Sequence, residues 1–117
     1  MTGVAHDDVP AHLNAMDVLC APSEASRTWR EQFGRMLVEA MACGVPLPAS
    51  RSGEIPHVVG DAGGRAAGAA MDRGARPRAW RPRMRNDLCA RGLARVHERF
   101  ALPVVARAHL MFFEELL

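Results

Sequence analysis

The chemistry of this sequence concentrates in one run, Glu31-Gln32-Phe33-Gly34-Arg35-Met36-Leu37-Val38-Glu39-Ala40-Met41-Ala42-Cys43-Gly44-Val45-Pro46. Gly34 stands where a helix should begin, and a residue without Cβ lets a ligand approach the backbone there. The first amides of a helix have no partner within it, and the helix dipole adds positive potential. Such a start attracts anions, and a diphosphate has the charge and size for it. Glu31 precedes that start and faces the same space. Glu39 lies two turns on, a carboxylate able to accept hydrogen bonds from two hydroxyls of a ribose. Both glutamates also have an ordinary structural reading. Acidic residues are favoured in a first helical turn, and Glu39 has the spacing of a solvated surface position.

The elements around the run must position it. Pro10 to Met16 reads as a short helix. Asp17-Val18-Leu19-Cys20-Ala21 is an apolar run stopped by Pro22-Ser23, the pattern of a buried parallel strand. Ser23 to Arg30 is a polar loop. Phe33, Met36, Leu37, Ala40 and Met41 recur at helical spacing and predict a helix with one buried face. Gly44 is a natural stop for that helix. Val45 to Ala49 follows as a second strand, and Gly53-Glu54-Ile55-Pro56 opens another short helix. Strand, helix, strand, helix in this order predicts a right-handed parallel α/β unit. Ligands of such units bind beyond the carboxyl ends of the strands. Those ends lead into the loops Pro22 to Glu31 and Ser50 to Glu54, which should face one crevice.

Composition bounds the alternatives. The 117 residues allow one small domain, and 49% hydrophobic against 24% charged residues is enough for a core. The net charge of +2 does not call for a nucleic-acid partner. Cys20, Cys43 and Cys89 form no C-x-x-C pair, which argues against a disulfide framework and suits a reducing cytoplasm. His6, His12, His57, His97 and His109 are scattered without metal-ligand spacing, so no metal is expected. No run approaches a membrane span, and no secretory signal follows Met1. Peripheral membrane contact and self-association stay open.

The run from Glu31 to Pro46 resembles the E-x7-E signature of the retaining GT-B glycosyltransferases of family 4, the glycosyl transferases group 1. The flanking text is similar too: Val9-Pro10-Ala11-His12-Leu13-Asn14-Ala15-Met16-Asp17-Val18-Leu19 before it and Ser52-Gly53-Glu54-Ile55-Pro56-His57-Val58 after it. The resemblance implies a nucleotide diphosphate sugar as donor, an unidentified acceptor, retention of anomeric configuration and no bound metal cofactor. It implies that Glu31 contacts the donor sugar near the reacting carbon. Backbone amides of Phe33 and Gly34 would hold the sugar, those of Arg35 and Met36 the diphosphate, and Glu39 would bind the ribose.

The same comparison marks three departures. The family's acceptor domain and its cationic grip on the diphosphate are not in this text, and Thr2-Gly3-Val4 resembles the stretch after a central strand. The expectation is therefore a fragment, 1–63 forming part of the nucleotide-sugar unit and inactive in transfer alone, or else a non-catalytic binding or interaction module. Pro48 removes a donor from the second strand and should weaken it. Gly60 to Asp87 contains no Val, Ile, Leu or Phe, but seven Arg among Ala, Gly and Pro. Residues 64–87 are therefore expected to be disordered, and 88–117 to be helical. The expected fold class is α/β, an incomplete Rossmann-like parallel sheet with flanking helices.

Overall fold

The computed structural model describes residues 3–21, 33–50, 52–63 and 82–117. After a 3-10 turn at His6–Asp8, α1 spans Val9–Asn14, with Pro10 in its first turn, where no amide is needed. Helix α2 spans Arg35–Ala42, α3 spans Ile55–Val59, and a 3-10 turn at Gly60–Gly63 follows directly. Helix α4 spans Pro82–Arg95 and widens into a π-helical segment at Val96–Phe100. Helix α5 spans Leu102–Leu116. The break between them has a local cause. Pro103 has no amide proton, and its ring would collide with the carbonyl four residues back, so the preceding helix cannot run on. Ala101 turns extended instead, with φ −60° and ψ 138°.

The expected parallel sheet is not there: no strand forms among the described residues. The two apolar runs meet in a single parallel bridge between Ala21 and Ala49. Leu19 N–H donates to Pro46 O at 3.1 Å, Ala21 N–H to Pro48 O at 3.0 Å, and Ser50 N–H to Ala21 O at 3.1 Å. The reason is the proline pair. A parallel rung that accepts Leu19 N–H at Pro46 O must return a bond from the amide of residue 48 to Leu19 O. Pro48 has no N–H to give, and Pro46 is blocked in the same way one rung earlier. What sequence periodicity marks as strands is extended chain with one completed bridge, and the described residues are helical rather than Rossmann-like.

Helices therefore supply the core. Leu37 and Met41 from α2 pack with Leu47, with Ile55, Val58 and Val59 from α3, and with Ala21, Ala49 and Ala62; Val38, Val96 and Phe100 lean on this cluster. Leu13, Ala40 and Val45 form a second cluster that seats α1 on the other side of α2. The buried arc of α2 is narrower than its periodicity implies. Leu37, Ala40 and Met41 are buried, but Phe33 precedes the helix and Met36 lies at the edge of the arc, and both are half exposed.

Two glycines allow the close approaches that close the core. A Cβ on Gly92 would stand 3.3 Å from Cγ and 3.4 Å from Cβ of Met41, so any larger residue there would press Met41 away from the α4–α2 contact. Gly60 has φ +53°, and Arg95 lies directly over it. The Arg95 guanidinium donates to Val58 O at 2.6 Å and also to His57 O. It thereby satisfies carbonyls that the end of α3 leaves open. Arg85 reaches Asp17 at 3.8 Å from the first turns of α4. Helix α4 begins at Pro82, so residues 82–87 of the Arg-rich stretch are helical, and 64–81 lie outside the described residues.

Candidate functional site

Gly34 adopts φ 65° and ψ 61°, the left-handed conformation that costs a side-chain-bearing residue about 1–2 kcal/mol. It turns the chain sharply into α2, and its carbonyl accepts Leu37 N–H at 2.8 Å. Arg35 and Met36 are then the first two helical residues, whose amides have no acceptor within a helix by geometry. Phe33, Arg35 and Met36 all lie at the surface around this start. Phe33 is steadied by an edge-on contact with Phe100, ring centroids 5.9 Å apart at 77°.

Glu39 sits one turn further along the same helix and does not stand alone. Arg35 Nε donates to its Oε1 at 3.1 Å, a bond between positions i and i+4. Arg35 also approaches His6, with Nη2 to Nε2 at 3.0 Å. Arginine can only donate, so this contact requires the His6 Nε2 lone pair, with the ring proton on Nδ1. The chain His6–Arg35–Glu39 joins the 3-10 turn before α1 to the first turns of α2. Such an arrangement holds the Glu39 carboxylate in place while leaving it partly open to solvent, its side chain 27% exposed. His6 has no spacing motif linking it to Arg35, 29 residues away, and only the docking of α1 beside α2 reveals the pairing.

Of the predicted site residues, the structure brings Phe33, Gly34, Arg35, Met36 and Glu39 to one helix start. Glu31 and the loop Ser23 to Arg30 lie outside the described residues. The Ser50 to Glu54 loop begins at the end of the bridged segment. Within it Ser52 is buried, and its hydroxyl has no hydrogen-bond partner among the described residues. Also among the described residues, no three His, Cys, Asp or Glu side chains gather in a metal-binding group, and no helix is long and apolar enough to cross a membrane.

Comparison with known proteins gives this arrangement a context. The family of glycosyl transferases group 1 matches residues 1–84, a stretch that carries the helix start and continues through the Arg-rich segment to α4. The chain is 40% identical over 62 residues to an MMP alpha-(1->4)-mannosyltransferase of Mycolicibacterium hassiacum, covering 53% of this chain and 14% of that protein. It is 44% identical over 59 residues to an N-acetyl-alpha-D-glucosaminyl L-malate synthase of Bacillus anthracis, covering 49% of this chain and 14% of that protein. The chain thus matches about one seventh of the length of these curated relatives. No solved structure shows a significant match. With a family match over residues 1–84 of 117, this chain belongs to the glycosyl transferases group 1.

Proposed function

We propose that this chain carries part of the donor site of a retaining GT-B glycosyltransferase of family 4, which takes a nucleotide diphosphate sugar. The observation that carries the reading is the left-handed Gly34 turn, with Phe33, Arg35 and Met36 at the surface around the start of α2. Amides at a helix start and the positive end of the helix dipole suit a diphosphate. In this reading the backbone at Phe33 and Gly34 meets the sugar, and the backbone at Arg35 and Met36 meets the diphosphate. Glu39 accepts the ribose hydroxyls, with its Oε1 steadied by Arg35. Glu31 is the residue nearest the reacting carbon, where a carboxylate can stabilise developing positive charge. The compartment proposed is the cytoplasm, which suits the free thiols of Cys20, Cys43 and Cys89.

The coverage of one seventh of its relatives favours a second reading for the chain by itself, a nucleotide-binding module without transfer activity. Calorimetric titration with a panel of nucleoside diphosphates and their sugars tests the donor site. Saturable binding of one nucleotide class, weakened by Gly34→Val, supports it. Absence of binding to every member of the panel by a folded chain overturns it. Transfer of sugar to water or to added acceptors by the same preparation separates the two readings.

A further inference from the structure

The side chain that holds Glu39 is itself held by another element. Arg35 is 72% exposed. A long charged side chain at the surface loses rotamer entropy when fixed, so an i,i+4 pair by itself gives a loosely aimed carboxylate. Arg35 is fixed at two points. Its Nε donates to Glu39 Oε1 at 3.1 Å, and its Nη2 donates to His6 Nε2 at 3.0 Å. Both nitrogens belong to one rigid plane. Acceptors on two elements therefore set the direction of the guanidinium and, through it, that of the carboxylate. The place of His6 is set by the core in turn. Its 3-10 turn leads directly into α1, whose Leu13 packs with Ala40 and Val45 behind α2.

The choice of a histidine has a chemical consequence. Asp7 and Asp8 stand on the same turn, but Arg35 takes the ring nitrogen and forms its ion pair with Glu39. A neutral imidazole orients the guanidinium without competing with Glu39 for its charge. A carboxylate offers about four lone-pair positions, and the Arg35 bond uses one. The remainder can accept two hydroxyls. The 2′ and 3′ hydroxyls of a ribose are fixed relative to one another, so they favour an acceptor already held in one orientation. We infer that His6 is a positioning residue of the ribose subsite, an inference that rests on the donor-site reading of Glu39. Acting through Arg35, it aims the Glu39 carboxylate at the paired hydroxyls and makes the site selective for ribonucleotides over their dideoxy counterparts.

Calorimetric titration of the full chain with uridine, guanosine and adenosine diphosphates and their 2′,3′-dideoxy forms tests this, with circular dichroism to check the helices of each variant. For the diphosphate that binds, His6→Ala should raise the dissociation constant of the ribose form about fivefold, the worth of one hydrogen bond. The constant of the dideoxy form should stay within about twofold, since the lost orientation has no hydroxyls to serve. Glutamine carries an amide oxygen that can accept from Arg35, so His6→Gln should return the ribose form to within about twofold of the parent. Nitrogen NMR of the neutral His6 ring in the parent should find the proton on Nδ1 and Nε2 bare. A proton on Nε2 overturns the proposal. So does an equal loss for ribose and dideoxy forms, and so does a His6→Gln chain no better than His6→Ala. If Glu39→Ala weakens ribonucleotide binding and His6→Ala does not, the donor site stands and the role of His6 falls. If the folded parent binds none of the diphosphates, the donor-site reading falls and takes the role of His6 with it.

Discussion

Glu39 illustrates how one side chain can serve binding more than folding. Its partner Arg35 is mostly exposed and lies one turn away, and an exposed i,i+4 pair contributes only about 0.3–0.5 kcal/mol. Glu39→Ala should therefore leave the thermal midpoint within a few degrees of the parent. Its dissociation constant for the bound nucleoside diphosphate should rise about tenfold, the cost of losing one charged hydrogen-bond acceptor. Calorimetry and a melting curve on the same sample check both halves; unchanged affinity with a collapsed midpoint would make Glu39 a structural residue. Gly34 behaves differently, since its left-handed backbone links stability to site shape. Gly34→Val should cost about 1–2 kcal/mol and weaken nucleotide binding together, as a β-branched side chain resists that conformation. Urea denaturation with and without nucleotide reads the two effects, and a variant as stable as the parent would remove the argument.

Among the elements, the single bridge between Ala21 and Ala49 is limited by chemistry rather than by distance. Pro48 lies where its amide would return a bond to Leu19 O, and the neighbouring bonds are in place at 3.0–3.1 Å. Pro48→Val supplies that donor and should stabilise the fold by up to about 0.5 kcal/mol, a net hydrogen bond less the entropy that proline removes from the unfolded chain. The check is a rise in the urea midpoint with slowed exchange at the new amide; a lower midpoint would mean that the segment needs the proline conformation more than the bond. The contact of α4 with α2 makes the opposite test. Gly92 is buried and a Cβ there meets Met41, so Gly92→Val should separate the two helices and cost about 1–3 kcal/mol. Neutral stability for that variant would show that Met41 can swing aside.

At the scale of the whole molecule, the described residues build a core from α1 to α4 and two extended segments, and α5 projects from it. The core residues come from α2, α3 and the chain around the bridge, with α4 closing over them through Gly92 and Arg95. The helix start with Glu39 lies at the rim of this body, and the chain matches about one seventh of the length of its relatives. Transfer requires a second substrate held against the donor's reacting carbon, and binding one substrate alone accelerates nothing. The isolated chain is therefore expected to bind nucleotide without moving sugar. Chromatographic detection of a glycosylated or hydrolysed product, above a Glu31→Ala control, would contradict that.

Some of this was written in the residues themselves. The Glu31 to Pro46 run carries the family and locates the candidate site, because a glycine at a helix start and a carboxylate on the same helix are local features of spacing. The helices from Arg35, Ile55 and Leu102 are equally legible, since helix bonds join residues four apart. The sheet is not legible in the same way. Apolar runs such as Asp17 to Ala21 and Val45 to Ala49 describe burial, and burial alone does not complete a ladder whose donors are missing at Pro46 and Pro48. The Arg-rich stretch gives no sign that residues 82–87 are helical, because the helix they open is held by Gly92 against Met41 and by Arg95 on the end of α3, contacts that lie further along the chain. His6 joined Arg35 for the same reason. Contacts between residues far apart in the chain depend on how helices dock, and docking is a property of packed surfaces that no short window of sequence contains.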